Sequence, residues 1–225
     1  MADDEGRADG LIGQLREKLI GRKQEWAREG RLLTGTTADP ALERLPPGQR
    51  LVKDWPVLDL GIQPDISHAA FRLDLDGAVE SRRSLSWVEF LALPQREAVS
   101  DMHCVTQWSR YDNRWKGVAA TDLLALVRPR AEARHVIFHS HDGYTTNVRL
   151  DQFAAADVFL VHEWEGKPIP RHHGGPLRVL IPRLYLWKSA KWVRRIEFAT
   201  ADHKGFWEVR GYHNNADPWA EERYG

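Results

Sequence analysis

The only cysteine of the chain, Cys104, has the most distinctive chemistry, and it stands next to His103. A thiolate can act as a nucleophile beside a histidine, or as a soft ligand for a transition metal. A cysteine–histidine nucleophile also needs an orienting Asn or Asp, which sequence alone does not locate. A lone cysteine is more often a small, buried, apolar residue. The residues around Cys104 therefore leave all three roles open.

Four further histidines form two pairs, His139 with His141 and His172 with His173. A zinc site needs three or four nitrogen or sulfur ligands, and these spacings match no standard structural zinc pattern. In a strand, His139 and His141 would share one face, so a zinc site stays an alternative. Surface or hydrogen-bonded histidine is the simpler interpretation.

Two short basic segments indicate an anion site. Residues 171–178 (RHHGGPLR) combine Gly-Gly, which lets a ligand approach the backbone, with two arginines suited to phosphate or another oxyanion. Residues 187–192 (WKSAKW) have small residues between two lysines, which leave backbone N–H groups open to an anion. Each segment alone is typical of a solvated basic turn. Together with a nearby soft thiolate, they predict a phosphate-bearing cofactor and a soft metal.

Short strands mixed with short helices must position these residues. Hydrophobic periodicity predicts an N-terminal helix over 11–29, with a stop at Gly30 and a loop over 34–47. It also predicts helices over 85–91 and 121–127, and strands over 71–79, 99–105, 135–139, 158–164, 177–181 and 192–199. Strand and helix do not alternate regularly, which favours a sheet-rich α+β domain. We expect a helix and connecting loop over 1–45 and one domain over 46–225.

Composition narrows the class of protein. The 225 residues carry 32 Lys+Arg and 32 Asp+Glu, so the basic excess of a nonspecific nucleic-acid binder is absent. Apolar residues make up 42% and charged residues 28%, which excludes a mostly disordered chain. The ten tryptophans indicate a large core or a ligand-lined cleft.

The longest apolar run, residues 123–127, is far shorter than the roughly 20 residues of a membrane-spanning helix. The N-terminal sequence MADDEGRADG lacks the basic and apolar regions of an export signal. We therefore expect a soluble, cytoplasmic protein without membrane insertion.

An ordered set of segments resembles the molybdopterin-binding domain of the sulfite oxidase superfamily, and more closely its short, haem-free bacterial branch. The set starts near residue 45 and extends into the C-terminal part of the chain. Each segment alone is weak, but the ordered set is specific. The segments are RLVKDWPVL (50–58), HCVT (103–106), RWKGV (114–118), DGY (142–144), HGGPLRVLIP (173–182), KSAKW (188–192) and GFWEVRGY (205–212).

This resemblance implies a mixed α+β domain around one molybdenum and one molybdopterin, a pyranopterin dithiolene. It makes Cys104 the protein thiolate on the metal, where a polarizable thiolate tunes the redox potential. The register around His139 admits its neighbour Ser140 instead. The residues implied to contact the cofactor are Asp54, Trp55, His139, His173, Arg178, Ser189, Ala190 and Lys191.

Two positions depart from the sulfite oxidase pattern. His162 stands where that pattern has a tyrosine over the metal, and Lys53 stands where it has an arginine in the substrate pocket. Lysine is cationic but lacks the bidentate fork of arginine. His162 would serve as a proton donor or anion ligand, and Arg110 is a second candidate for the substrate rim. We expect these three residues, with Cys104, to act in catalysis.

The resemblance implies an oxidoreductase that carries out two-electron oxygen-atom transfer on a small S- or N-centred substrate, either sulfite-like or a sulfoxide or N-oxide. The sequence shows no haem segment, so we expect electrons to pass to or from a separate partner. The alternative is a non-catalytic domain of the same fold that binds the cofactor or a partner. The physiological substrate, the reaction direction, the oligomeric state and any nucleotide on the cofactor stay open at this point.

Overall fold

The computed structural model describes residues 2–29 and 44–225. Helix α1 spans Ala2–Glu29 and so begins nine residues before the predicted start. The apolar residues of α1 are not all buried, since Ile20 is 3% exposed whereas Leu15 is 54% exposed. The predicted stop at Gly30 and the loop residues 34–43 lie outside the described residues.

The described residues contain short helices and eleven strands besides α1. The helices are α2 (Trp87–Ala92), α3 (Ala120–Val127) and α4 (Leu150–Phe153). The strands are β1 (Arg50–Leu51), β2 (Arg72–Gly77), β3 (Arg83–Ser86), β4 (Gln95–His103), β5 (Trp108–Ala119), β6 (His135–Ser140), β7 (Thr145–Arg149), β8 (Phe159–Trp164), β9 (Lys167–Pro168), β10 (Arg178–Leu180) and β11 (Val193–Ala199).

Six of these strands form sheet A, which runs β1-β5-β8-β10, with β4 also on β5 and β9 on β8. The 12-residue β5 lies at its centre and pairs antiparallel with β4 and β8 and parallel with β1. Sheet A positions two of the candidate site residues, because β4 ends directly before Cys104 and β10 begins at Arg178.

The other five strands form sheet B in the order β3-β2-β11-β6-β7. Strand β11 pairs parallel with β2 and antiparallel with β6. One apolar core is formed by sheet B, α2, α3 and strands β5, β8 and β10 of sheet A, and it includes Phe71, Phe90, Leu123 and Phe138. Burial of such side chains from water stabilises each by roughly 1.5–3 kcal/mol.

A second apolar cluster surrounds Cys104 and holds much of the tryptophan content. Trp55 contacts Trp115 and Trp164 edge to face, with ring centroids 5.4 and 4.9 Å apart. The tryptophans of this cluster are Trp55, Trp108, Trp115, Trp187 and Trp207. They therefore line one region instead of being spread evenly through the core.

The predicted fold class, a sheet-rich α+β domain with an N-terminal helix, is confirmed. Helix α2 begins two residues after its predicted start, because Ser86 caps it by accepting from Glu89 N–H at 3.3 Å. None of the described helices combines the length and the apolar composition that a bilayer crossing requires.

Candidate active site

A cavity lies beside the loop that follows β4, and Cys104 lines it. Its other walls come from residues 55–60, 173–192 and 207–212, together with Lys23 of α1. It holds about 880 Å³ of empty space, counted to the open mouth. Apolar and polar residues line it together, as is typical of small-molecule sites, and we call it the Cys104 cavity.

The thiol of Cys104 is held at the closed end of a turn. Gln107 N–H donates to the Cys104 carbonyl at 3.0 Å, and Gln107 takes a left-handed φ of 64°. The Sγ atom lies 3.2 Å from Thr106 Oγ1. Burial raises the pKa of the Cys104 thiol, although Thr106 acts against this. Since a bound metal ion deprotonates a coordinating thiol, Cys104 suits metal ligation better than free nucleophilic attack.

His103 does not form a cysteine–histidine pair with this thiol. Its Nδ1 lies 2.8 Å from Ser109 Oγ, and burial lowers its pKa to about 4. Ser109 Oγ in turn donates to Gln49 Oε1 at 3.2 Å, while Gln49 Nε2 donates to the Cys104 carbonyl at 3.1 Å. This network fixes the Cys104 backbone rather than activating its sulfur.

Arg178 is the most deeply buried cation of the cavity, at 3% exposure. Its Nη1 donates to the His173 carbonyl at 2.8 Å and its Nη2 to the Ser189 carbonyl at 3.0 Å. Within residues 44–225 no carboxylate forms an ion pair with it, and burial lowers its pKa to about 9. A buried guanidinium that donates only to carbonyls, and whose other contact is the Trp55 ring at 5.1 Å, favours an anionic ligand.

Lys191 repeats this arrangement. Its Nζ donates to the carbonyls of Leu58 at 2.9 Å and His172 at 2.8 Å. Burial, helped by nearby Arg178, lowers the pKa of Lys191 to about 7. Gly174 has a φ of +103°, and a Cβ there would lie 2.8 Å from Lys191 Cβ. The glycine therefore lets the basic segment approach Lys191 closely.

The other predicted cofactor contacts in the cavity are neutral. The His173 ring stacks on Trp55, with centroids 3.8 Å apart and planes 5° apart. Burial, helped by Arg178, lowers the pKa of His173 to about 3. Ser189 Oγ accepts from Ile181 N–H at 3.0 Å, which leaves its own O–H available as a donor. Ala190, at 1% exposure, completes this wall.

His162 lies outside the Cys104 cavity, contrary to its expected place over the metal. Side chains alternate between the two faces of a strand, and in β8 it is Val161 that packs in the cluster around Cys104. His162 faces α2, where its ring meets Trp87 edge to face at 5.8 Å. Its Nε2 lies 3.0 Å from Gln95 Oε1.

His139 also lies outside the cavity. It projects from β6 toward Glu197, with Nε2 2.9 Å from Oε2, and toward Arg195. It therefore does not come together with His173, which stacks on Trp55. Among the described residues, no group of three His, Cys, Asp or Glu side chains is placed to hold a metal ion. The four histidines of the zinc alternative do not converge.

Lys53, Asp54 and Arg110 lie beside the cavity rather than in its wall. Lys53 and Asp54 are exposed, and Arg110 Nε donates to the Lys53 carbonyl at 3.1 Å. The Arg110 guanidinium sits 4.9 Å from the centroid of the Trp164 ring, which packs on Trp55. These cations therefore stand one layer outside the residues around Cys104.

Several cavity residues were missed by the sequence reasoning. The indole N–H of Trp108 has no hydrogen-bond partner among the described residues, although Trp108 is only 2% exposed. Tyr144 donates through its hydroxyl to the Trp187 carbonyl at 2.5 Å. The DGY and GFWEVRGY segments could have indicated some of these residues, but Lys23 had no signal. The missed residues include Lys23, Asp59, Trp108, Asp142, Tyr144, Trp187, Trp207 and Tyr212.

Comparison with known proteins identifies the family of the chain. The family described as "Oxidoreductase molybdopterin binding domain" matches residues 60–207, about two-thirds of the chain. The chain belongs to this molybdopterin-binding oxidoreductase family. It is a molybdopterin-dependent oxidoreductase, and the expected resemblance to sulfite oxidases is confirmed.

Three relatives of this chain show how its sequence compares with known proteins of different lengths. The uncharacterised oxidoreductase YuiH of Bacillus subtilis is 42% identical over 182 residues, which are 80% of this chain and 92% of YuiH. A putative protein-methionine-sulfoxide reductase subunit, YedZ1 of Azospira oryzae, is 28% identical over 66% of this chain and 56% of its own length. The mitochondrial sulfite oxidase of Rattus norvegicus is 31% identical over 44% of this chain and 20% of its own length.

A solved structure supports the fold of this family member. The sulfane dehydrogenase SoxCD of Paracoccus pantotrophus superposes with a TM-score of 0.57 at 19% identity. The match covers 62% of this chain and 40% of that chain. At this identity, the likeness concerns the arrangement of strands and helices alone.

Proposed function

We propose that the chain carries a molybdenum–pyranopterin cofactor in the Cys104 cavity and performs two-electron oxygen-atom transfer on a small S- or N-centred substrate. One observation carries this proposal. A buried thiol, the buried Arg178 and the half-buried Lys191 line the same cavity, and neither cation forms an ion pair within residues 44–225. A soft ligand for a metal and an excess of positive charge for a phosphate are the two features that such a cofactor requires.

The donor set of the cavity fits this cofactor. Cys104 would hold the molybdenum, while Arg178 and Lys191 would bind the phosphate end of the pterin. The unpartnered indole N–H of Trp108 supplies a further donor for a polar ligand. When bound, the group supplies the two-electron redox change and the exchange of an oxygen atom with the substrate. The protein supplies orientation, positive charge and exclusion of water.

Lys53 and Arg110 would provide positive charge where an oxyanionic substrate approaches. Arg110 is tied to the Lys53 backbone and to Trp164, so its charge is fixed relative to the cavity wall. A fixed cation stabilises oxygen charge that develops during the transfer without a reorganisation cost. Asp54 would contact the pterin only after a shift, since it lies outside the cavity wall. We leave His162 and His139 out of this proposal.

A separate electron-transfer partner completes the proposed reaction, because each turnover moves two electrons. YedZ1 is itself named as a subunit, which supports an assembly of this kind. The division into residues 1–45 and 46–225 and the cytoplasmic location both stay predictions.

Elemental analysis tests the proposal. The protein is purified from a molybdenum-replete host, and its molybdenum, zinc and pterin are measured. Turnover is then followed with redox dyes on sulfite, methionine sulfoxide and trimethylamine N-oxide. We expect equimolar molybdenum and pterin with turnover of at least one substrate. Equimolar cofactor without turnover would favour the non-catalytic alternative, and zinc without molybdenum would overturn the proposal.

A further inference from the structure

Helix α1 packs against the C-terminal part of the chain at the mouth of the Cys104 cavity. Ile20 and Ala27 are 3% and 2% exposed, so one face of the helix is sealed. Gln24 Nε2 donates to the Arg210 carbonyl at 3.1 Å, and the Gln24 carbonyl accepts from the Tyr224 hydroxyl at 3.0 Å. The position of α1 is therefore fixed by apolar and polar contacts together.

Lys23 lies on the same face of α1, three residues after Ile20 and four before Ala27. It is half-buried and lines the cavity together with Cys104. Its Nζ donates to the backbone carbonyl of Asp59. Burial lowers its pKa to about 8, although the carboxylate of Asp59 opposes this shift.

The two carboxylates of the cavity already have neutral partners. Asp59 Oδ1 accepts from Gly61 N–H at 2.8 Å, and its Oδ2 accepts from Gln63 Nε2 at 2.6 Å. Asp142 Oδ1 accepts from Tyr144 N–H at 3.0 Å. The cavity therefore holds two carboxylates with neutral donors of their own against three cations, since Lys23 joins Arg178 and Lys191. This balance favours a ligand with an anionic group.

We propose that Lys23 is a third cation that binds the phosphate of the cofactor, supplied by a helix outside the family-matched residues 60–207. The inference rests on the proposed function, because it takes the molybdenum–pyranopterin as the ligand. Helix α1 thereby forms part of the binding site instead of being only an N-terminal extension. An anionic substrate carries the same oxyanion chemistry, and the experiment below separates these two sources.

The experiment compares the retention of cofactor by the full-length holoenzyme and its variants. Lys23→Gln removes the charge at similar length, and Lys23→Arg keeps it. Lys18→Gln is the matched control, since Lys18 is exposed on the same helix. Each protein is incubated at fixed temperature, passed through size exclusion at intervals and assayed for bound molybdenum. Circular dichroism and thermal unfolding report whether each variant is folded.

Loss of a charge-assisted hydrogen bond predicts that Lys23→Gln releases molybdenum roughly 10-fold faster than wild type. Lys23→Arg and Lys18→Gln should retain it as wild type does. A sulfate titration of the holoenzyme, followed by tryptophan fluorescence, should give the same affinity for all variants. Unchanged retention with weaker sulfate binding by Lys23→Gln would overturn the cofactor assignment and place the oxyanion on the substrate.

Two outcomes separate this inference from the proposed function. Wild-type protein that contains molybdenum, with a folded Lys23→Gln variant that matches it in both retention and sulfate binding, overturns the role of Lys23 alone. Wild-type protein without molybdenum overturns the proposed function and this inference with it.

Discussion

The Cys104 cavity and a groove around His162 are two concave regions on either side of β8. The groove is lined by His68, Trp87, Leu91, Gln95, Lys116, His162, Glu163, Pro168 and Pro176, and we call it the His162 groove. Its polar groups have partners: Lys116 Nζ lies 3.6 Å from Glu163 Oε1, and His162 meets Gln95. In the Cys104 cavity, Arg178 and Lys191 donate only to backbone carbonyls, and they otherwise lie over the rings of Trp55 and Trp192.

The two regions differ in charge balance, since the groove pairs Lys116 with Glu163 whereas the cavity holds three cations, Lys23, Arg178 and Lys191, against two carboxylates, Asp59 and Asp142. Both contain aromatic rings, histidine and a cation. Burial of a charge is costly unless it is paired, so the cavity, with its excess of one cation over its carboxylates, favours an added anion. Uncompensated buried charge thus distinguishes the site better than the presence of histidine does.

Cys104→Ser tests the cavity most severely. A serine oxygen is harder than a thiolate and does not replace it as a soft metal ligand. Removal of a residue that only supports a metal ligand lowers activity by up to about 100-fold. Because Cys104 would be a ligand itself, we expect turnover to fall by more than about 100-fold. Near-UV circular dichroism should stay unchanged, because the two side chains are similar in size. Normal turnover of the variant would exclude Cys104 as the metal ligand.

Gly174→Ala should disturb the cavity through Lys191. The added Cβ would lie 2.8 Å from Lys191 Cβ, so the lysine must move. Gly166→Ala is the matched control, because Gly166 also has a positive φ, of +71°, but nothing lies within 4 Å of its added Cβ. We expect Gly174→Ala to lower the molybdenum content roughly 10-fold, as a displaced charge-assisted contact predicts. Equal content in both variants would contradict the positioning of Lys191 by this glycine.

The free energy of unfolding of cofactor-free protein should rise with pH because of two lysines in the Cys104 cavity. Burial lowers the pKa of Lys23 to about 8 and of Lys191 to about 7. Between pH 7 and 8.5 the unfolded state therefore binds more protons than the folded state, so the free energy of unfolding rises with pH. We expect a gain on the order of 1 kcal/mol, smaller in holoenzyme because a phosphate would keep both lysines protonated.

Urea unfolding at several pH values measures this gain. The range should stop near pH 8.5, because the raised pKa of Cys104 lowers stability at higher pH. The double variant Lys23→Gln, Lys191→Gln should lose the dependence. A flat profile in the cofactor-free wild type would show that the lysines are not desolvated.

His162→Gln should have the smallest effect on the reaction. Because His162 lies in the groove on the opposite face of β8 from Val161, we expect a change of less than about 3-fold in turnover and full molybdenum content. Loss of the contact with Gln95 should cost about 1 kcal/mol of stability, measured by urea unfolding. A tenfold loss of turnover at full molybdenum loading would return His162 to the catalytic proposal.

The sequence predicted those elements whose periodicity is local. Alternation in β2 and the β-branched run of β11 were sufficient to find both strands. The central strand β5 was missed, because its sequence WSRYDNRWKGVA is polar along much of its length. Backbone pairing with β1, β4 and β8 holds it in the sheet, and pairing partners cannot be read from one strand alone.

The site was predictable where it rests on contiguous motifs, as for His173, Arg178 and Ser189. It was not predictable where the direction of a strand side chain decides its place. A shift of one residue moves a side chain to the other face of the sheet, as at Val161 and His162. Lys23 lay beyond prediction for another reason. Its contact with Asp59 joins residues 36 positions apart through the docking of a helix, which no local pattern encodes.

The arrangement of the cavity walls has a consequence for biogenesis. Lys23, Trp207 and Tyr212 line one cavity, although Lys23 precedes the other two by more than 180 residues. Lys23 is synthesised before Trp207 and Tyr212, so the cavity is complete only after nearly all of the described domain has been synthesised and folded. A cofactor would therefore enter a domain that is already largely folded.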